Sequence, residues 1–206
     1  MTGNRLATAL LPASAFGDNF KSYGLHSTGG RLLPTTVKAV PAGRSCKDFE
    51  QYVSINAWGN TSGAEDWGYN SVLDFSNPNV ISSSYQNVVQ FATPQAAAKF
   101  YGEEYAKYGA CQTVTVTDPT STDGGTEELT NQSLAKTTLG KYQAFNLIQS
   151  DIFSDVSSVT LYDATVVVLA GTNVYTVAEV NGTNDPVSEG LIGKLISRVQ
   201  ALYPRH

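Results

Sequence analysis

Few side chains in this sequence are suited to acid–base or nucleophilic catalysis, and they do not form a recognisable catalytic set. The histidines are His26 and His206, and the second is the last residue of the sequence. A serine nucleophile would need His26 as its base, yet no Gly-x-Ser-x-Gly turn is present. The Ser-rich stretch 81–85 is typical of a strand instead. We therefore interpret His26 as an ordinary residue of a Gly- and Thr-rich loop.

One pair of acidic residues has a composition that suits sugar chemistry. Glu65 and Asp66 precede Trp67, and most glycoside hydrolases use two carboxylates that flank the scissile bond. Trp58 and Trp67 would then supply aromatic surfaces on which sugar rings stack. A carboxylate-dependent glycan hydrolase is thus one hypothesis, although our main expectation is that the protein is not an enzyme.

The two cysteines, Cys46 and Cys111, are far apart and belong to no Cys-x-x-Cys motif. A structural zinc site needs about four ligands at short spacings, so we predict neither a metal nor a cofactor. Two buried thiols and one disulfide are the alternatives that remain. Both cysteines flank the ends of predicted elements, where a cross-link is useful, and this favours the disulfide. A disulfide implies an oxidising compartment.

Aromatic residues concentrate in one Gly- and Asn-rich region that contains Trp58, Trp67 and Tyr69. Amphipathic aromatic side chains often line ligand clefts, so these three are candidate ligand-binding residues. The alternative is that they are core and sheet-face residues, which is the more common role of such side chains.

Charge and hydropathy exclude several classes of partner. The 206 residues carry 13 Lys and Arg against 18 Asp and Glu, a formal net charge of -5. The Lys and Arg residues form no cluster, so the chain offers no basic face for nucleic acid or for an anionic membrane. No apolar run is long enough to span a bilayer, and the stretch 6–11 is too short for the core of a signal peptide. We expect any export signal or anchor to be absent from this chain.

The spacing of apolar residues predicts an α+β protein with an antiparallel sheet of about six strands and helices packed on it. Candidate strands are 67–77, 80–92, 113–117, 127–134, 142–150, 156–170 and 173–180. One helix should begin at Pro94, with Thr93 as its N-cap, and end at Gly109. A second helix should carry the apolar stripe from Leu191 to Leu202. We predict one domain, 1–206, in which 1–40 is a helical and irregular N-terminal extension and 21–43 a loop.

Two segments resemble a known family. In 89–100 a strand ends in Phe91 and is followed by an Ala-rich helix, after which Tyr108 precedes Cys111. In 164–177 an apolar strand turns into a second strand ahead of the terminal helix. These patterns resemble the extracellular sensor domain of PknH-type mycobacterial serine/threonine kinases and related actinobacterial lipoproteins. Tyr108 stands where that family usually has Trp, and the similarity covers about residues 40–203.

The resemblance implies an antiparallel sheet flanked by helices, an exposed cleft for a ligand and a location outside the plasma membrane. It also implies that Cys46 pairs with Cys111, and it supplies no catalytic residue. Members with the fuller pattern carry a second cysteine pair in the C-terminal half. This chain has none, so a role that depends on that second disulfide is not expected.

The leading hypothesis is therefore a non-catalytic, extracytoplasmic ligand-binding or sensor-like domain, secreted or anchored as a lipoprotein. Its ligand would be a small envelope molecule, lipid or glycan. An interaction module that docks another envelope protein is the second hypothesis, and the glycan hydrolase is the third.

Overall fold

The computed structural model of the protein describes residues 5–27, 38–40, 64–74, 82–110, 112–117, 126–153, 160–181 and 189–203. Within these segments the chain forms three α-helices, a short 3-10 helix and nine strands. The helices are α1 (Arg5–Ala9), α2 (Pro94–Ala110) and α3 (Glu189–Leu202), and the 3-10 helix is Ala13–Ala15. The strands are β1 (Phe20–Ser27), β2 (Lys38–Val40), β3 (Ala64–Asp74), β4 (Ser82–Phe91), β5 (Thr113–Thr117), β6 (Thr126–Leu139), β7 (Tyr142–Phe153), β8 (Thr160–Ala170) and β9 (Asn173–Asn181).

All of these strands belong to one sheet, in the order β1-β3-β4-β9-β8-β7-β6-β5-β2, and every neighbouring pair is antiparallel. Tight turns join β6 to β7 and β8 to β9. Gly140 and Gly171 occupy these turns with φ of 57° and 63°, a conformation that glycine adopts without the steric cost of a Cβ atom. The antiparallel α+β fold is therefore confirmed.

The predicted number of strands was too low, because the described residues form nine strands and not about six. The missed strands, β1 and β2, lie at the two edges of the sheet and, apart from Phe20, inside the segment 21–43 that we expected to be a loop. In β1 the register shifts between Ser22 and Gly24, and such a bulge interrupts the alternation by which a strand is recognised. β2 has only three residues. The N-terminal 40 residues thus contribute strands to the sheet and are not merely an irregular extension.

The helices cover both faces of the sheet. α1 and α3 pack on one face and α2 on the other. The α1/α3 cluster contains Leu6, Ala9, Leu10, Leu11, Val88, Ala144, Ala164, Val166, Val168, Ala170, Tyr175, Val177, Leu191, Ile192, Leu195, Ile196 and Val199. The α2 cluster contains Trp67, Val89, Phe91, Ala97, Tyr101, Tyr108, Phe145, Leu147, Val167 and Val174. Alternate residues of the central strands therefore enter different clusters, as the two-residue period of a strand requires.

A buried side chain fixes the N-terminal segment to the sheet. Gln86 of β4 donates from Nε2 to the carbonyl oxygen of Leu11 at 2.7 Å and accepts from the Leu11 amide at 2.8 Å. Beside it, Gly68 lets the backbone of α1 lie directly on β3. A Cβ atom at that position would come within 2.9 Å of the Ala7 nitrogen. The first helix is thus positioned by two contacts that depend on particular residues.

The local signals of the two longer helices were correct. The Ala96 amide donates to Thr93 Oγ1 at 3.2 Å, which confirms the N-cap, and α2 ends at Ala110, one residue past the predicted stop. The predicted stripe of α3 is buried over Leu191 to Val199, whereas Leu202 is exposed.

Several predicted features lie outside the described residues. They are Cys46, Cys111 and Trp58, so the disulfide remains a prediction. Among the helices that the structure describes, none is both long enough and apolar enough to cross a membrane.

Candidate functional site

α2 packs on the apolar part of its face of the sheet, and the rest of that face is polar. In β4 the α2-facing positions change from Phe91 and Val89 to Asn87 and Tyr85 along the strand. β8 shows the same change, from Val167 through Thr165 to Asp163. Because neighbouring strands change in the same region, their polar residues meet on one surface.

We call this surface the polar patch. It consists of Tyr69, Tyr85, Asn87, Gln149, Asp163, Thr165 and Thr176. The strand register places these residues side by side, with the direct pairs Tyr69 with Asn87, Asn87 with Thr176, and Gln149 with Asp163. The patch crosses five adjacent strands, β3, β4, β9, β8 and β7, which spans about 19 Å at about 4.8 Å per strand.

Several members of the patch are almost completely buried. The exposed fraction is 2% for Asn87, 3% for Gln149, 4% for Thr165 and 5% for Thr176. Tyr69, Tyr85 and Asp163 are half-buried at its margin. Polar groups are costly to bury unless they are hydrogen-bonded. The presence of several buried polar side chains on one sheet face therefore requires hydrogen-bond partners or indicates a function.

Two hydrogen bonds of the patch form a chain in which both donors point the same way. Thr165 Oγ1 donates its proton to Asp163 Oδ1 at 2.7 Å. The Tyr85 hydroxyl lies 3.4 Å from the same Thr165 oxygen. A hydroxyl has a single proton, so Thr165 accepts from Tyr85 in this second contact. The protons of the chain therefore point from Tyr85 towards the carboxylate.

Asn87 differs from these residues because its side-chain oxygen is unsatisfied. Asn87 Oδ1 is buried and has no hydrogen-bond partner among the residues that the structure describes. Leaving a buried acceptor unpaired costs about 1–3 kcal/mol. Asn70 Oδ1 is in the same situation on the opposite face of the sheet, where it provides an internal comparison.

Two tyrosine rings form one side of the patch. The rings of Tyr69 and Tyr85 lie 6.2 Å apart between centroids and are tilted by 36°. They come from adjacent strands, β3 and β4, and both side chains are only partly buried. Together they offer an amphipathic surface next to Asn87.

The C-terminal end of α2 is tied to the opposite side of the patch. Gln149 Nε2 donates to Asn131 Oδ1 at 2.8 Å, and Asn131 Nδ2 donates to the carbonyl oxygen of Tyr108 at 2.6 Å. The position of the helix end is therefore coupled to a patch residue through two hydrogen bonds.

Aromatic residues of α2 pack on the apolar part of the same sheet face. The rings of Tyr101, Tyr105 and Tyr108 surround Phe145 at centroid distances of 5.3, 5.5 and 6.2 Å. Burial raises the pKa of Tyr101 to about 12, with a smaller contribution from neighbouring Tyr105. Glu104 lies on the same helix face and is also buried.

The predicted ligand-binding residues have different surroundings. Tyr69 belongs to the polar patch, whereas Trp67 is only 5% exposed and packs in the α2 cluster. The structure therefore gives Trp67 a packing role, and its predicted ligand contact remains a prediction. The sheet does not bring Trp67 and Tyr69 together with Trp58, which lies outside the described residues.

The residues considered for hydrolysis and for nucleophilic chemistry lie elsewhere. Glu65 is exposed, and Asp66 Oδ1 accepts a hydrogen bond from the Trp67 amide at 2.8 Å. His26 lies in β1 opposite Tyr69, so its predicted place in a loop was wrong. Within the described segments, no group of three or more His, Cys, Asp or Glu side chains is arranged to hold a metal ion.

Sequence reasoning missed most of the patch. A usable signal exists, because β7, β8 and β9 each place a polar residue on the α2-facing positions beside apolar ones, namely Gln149, Thr165 and Thr176. This signal gains meaning only when the register of the sheet is known.

Comparison with known proteins supports the fold. No protein-family model matches the sequence, and no curated protein is significantly similar to it. The crystal structure of the extracellular domain of PknH from Mycobacterium tuberculosis aligns over 97% of this chain and 95% of that chain, with 14% identity and a TM-score of 0.66. An uncharacterised protein of Mycobacterium smegmatis, the Rv0999 ortholog, aligns over 96% of both chains with 12% identity, and its TM-score of 0.41 is too low to indicate a shared fold. The chain thus has the fold of the PknH extracellular domain, as the sequence resemblance predicted.

Proposed function

We propose that this protein is a non-catalytic, sensor-like domain that acts outside the cytoplasm and binds a small molecule of the cell envelope on the polar patch. The observation that carries the proposal is the similarity in fold, over nearly the whole length of both chains, to the extracellular domain of PknH. At 14% identity this similarity concerns the fold, so the activity is our inference.

The polar patch supports binding at this place. A sheet face beside a packed helix normally continues the apolar core, whereas here it carries buried amides and hydroxyls. The half-buried members at its margin, Tyr69, Tyr85 and Asp163, are the ones that a ligand would contact. Such a site is stabilised by its ligand, as any protein that binds in the native state is.

Thermal unfolding with a panel of envelope lipids and glycans tests the proposal. A true ligand at about 100 times its Kd should raise Tm by about 5–10 °C. Tyr85→Ala should reduce this rise, because it removes a ring and a hydroxyl from the patch. Tyr162→Ala is the matched control, since Tyr162 is half-buried on the opposite face of β8. If nothing in the panel stabilises the wild type at saturating concentration, the binding role loses its support.

The cellular location forms part of the same proposal. We infer a secreted or lipid-anchored protein, in line with the extracellular domain whose fold it shares. Protease added to intact cells should digest the protein without lysis. Protection in intact cells and digestion only after lysis would contradict this location.

A second candidate function is the docking of another envelope protein at the edge of the sheet. β1 is a terminal strand of the described sheet order, and its eight residues pair with β3 on one side. A partner could add a strand to such an edge. Hydrogen exchange in the presence of an envelope extract distinguishes the two functions. Protection confined to the amides of β1 favours docking, and protection at the polar patch favours the small ligand.

A further inference from the structure

We propose that the second half of strand β6, residues 132–139, is a docking edge to which an extended acidic peptide segment of another protein adds a further strand. This edge is separate from the polar patch and from β1, so the inference goes beyond the proposed function. It depends on the pairing of β6, on the exposure of its side chains and on their charge.

Only the first part of β6 lies between two strands of the described sheet. β5 pairs with residues 126–130, whereas β7 pairs with β6 over residues 127–139. The Asn131 amide still donates to the carbonyl oxygen of Gln112 at 2.7 Å, at the point where the chain enters the sheet from α2. Over 132–139, about 27 Å of strand, no described strand pairs with the outer edge. Such an edge is a template for another strand.

The side chains of this half show that β6 is the boundary of the packed sheet. Residues 135–138 are all exposed, although alternate residues of a strand point to opposite faces. Their partners on β7 include Ala144 and Phe145, which are buried. α2 meets β6 on the face of the sheet, where a Cβ atom on Gly109 would lie 3.7 Å from the Leu134 side chain. Within the described part of the chain, the edge itself is open to an added strand.

The charge at this edge selects an acidic partner. The segment 131–150 contains Lys136 and Lys141 but neither Asp nor Glu, although the chain has a net charge of -5. Lys136 is exposed, and its Nζ lies 4.5 Å from the centroid of the Tyr105 ring on the α2 side of the edge. Opposite charges on directly opposed residues of paired strands attract each other. A carboxylate in the added strand is therefore favoured opposite Lys136.

The neighbouring residue on the same face defines a second position. Leu134 and Lys136 are alternate residues of β6, and Leu134 is half-buried. An apolar side chain opposite Leu134 would cover its exposed part. If the added strand is antiparallel, like every neighbouring pair in this sheet, the partner carries an acidic residue followed two positions later by an apolar one.

A second copy of this chain fits the edge less well. Antiparallel pairing of two β6 edges would bring the Lys136 side chains of both copies into one interface, where like charges repel. A lysine on an exposed edge is a common protection against such self-pairing. The acidic residues of α2 do not offset this repulsion, because Glu103 pairs with Lys99 at 3.7 Å and Glu104 is buried.

Titration of the ¹⁵N-labelled full chain with three blocked nonapeptides, followed by amide chemical shifts, tests the docking edge. The first peptide is TTTETLTTT, the second replaces its glutamate by lysine, and the third is the first peptide with N-methyl groups on all central amides. The first should shift the amides of 132–139 and bind roughly fivefold more tightly than the second. The third should not bind, because its backbone has no N–H groups to donate to the edge.

Two charge-reversal variants locate the preference. Lys136→Glu should invert it, so that the lysine peptide binds more tightly than the glutamate peptide. Lys194→Glu makes the same change in net charge on an exposed position of α3 and should keep the preference of the wild type. Both residues are exposed, so the Tm of each variant should stay near that of the wild type.

The opposite results are equally specific. Equal affinity for the first two peptides, or a preference that Lys136→Glu leaves unchanged, would overturn the acidic partner. A dimer of the free protein that forms through 132–139 would assign the edge to a second copy and overturn it as well. No shifts at millimolar peptide, shifts confined to β1, or slow hydrogen exchange of every amide in 132–138 in the free monomer would overturn the docking edge. None of these results bears on binding at the polar patch.

Discussion

Gln86 is the residue on which the position of the N-terminal helix depends most. Its side chain is fully buried and makes two hydrogen bonds, at 2.7 and 2.8 Å, with the backbone of Leu11. We predict that Gln86→Leu, which keeps a side chain of similar size and removes both hydrogen-bonding groups, will destabilise the protein strongly.

The expected magnitude follows from the groups that are left behind. The variant leaves the N–H and C=O groups of Leu11 buried without their partner, and each unsatisfied group costs about 1–3 kcal/mol. The apolar leucine recovers about 1–2 kcal/mol through its own burial. The net loss in the free energy of unfolding should therefore be about 1–4 kcal/mol, a large fraction of the stability of an ordinary domain.

Gln90→Leu is the matched control for this change. Gln90 lies on the same strand and the same face, and its Nε2 donates to Asn173 Oδ1 at 3.2 Å. That bond is only partly buried, and Asn173 keeps a hydrogen bond to the Tyr175 hydroxyl at 3.0 Å. No buried group loses its last partner, so the loss should stay below about 1 kcal/mol.

Equilibrium unfolding in urea, followed by tryptophan fluorescence, measures both variants. Hydrogen exchange should also show faster exchange at Leu11 in Gln86→Leu than in Gln90→Leu. Equal losses in the two variants, or a loss below about 1 kcal/mol in Gln86→Leu, would refute the role of this buried pair in holding α1.

Two further predictions concern the close approach of α1 and the buried tyrosines. Gly68→Ala should cost about 1–3 kcal/mol in urea unfolding, because its Cβ would meet the Ala7 nitrogen at 2.9 Å. Gly102→Ala, whose Cβ would have nothing within 4 Å, should instead stabilise α2 by about 0.5–1 kcal/mol. A larger loss in Gly102→Ala than in Gly68→Ala would contradict the packing of α1 on β3. Burial raises the pKa of Tyr175 to about 12, against about 10 in an unfolded chain, so this group alone should lower the free energy of unfolding by about 2–3 kcal/mol between pH 10 and pH 12. Tyr101 shifts in the same direction, so Tyr175→Phe should reduce this fall without abolishing it, and an unchanged pH profile would contradict the burial of that hydroxyl.

Elements with local signals were predictable from the sequence. The N-cap Thr93 and the following proline define the start of α2 within a few residues, and no distant contact is needed for them to act. The uninterrupted apolar run that includes Val166 to Val168 likewise indicates a central strand, because only a strand covered on both faces has such a composition.

The edge strands were not predictable because their stability comes from pairing. β1 contains a bulge between Ser22 and Gly24, and β2 has three residues with no alternation of their own. Each becomes a strand through the hydrogen bonds of a single neighbour, β3 or β5. Propensity and period describe the segment alone, so they cannot report this contribution.

The polar patch shows the same limit at the level of function. Asn87, Thr165 and Thr176 are far apart in the sequence, and each is an unremarkable polar residue within its own strand. The register makes Asn87 the neighbour of Thr176, and it sets Thr176 beside Val167 and Thr165 beside Ala178. That these residues form one buried polar surface becomes apparent only when the strands are aligned, because no single strand contains more than two of its members.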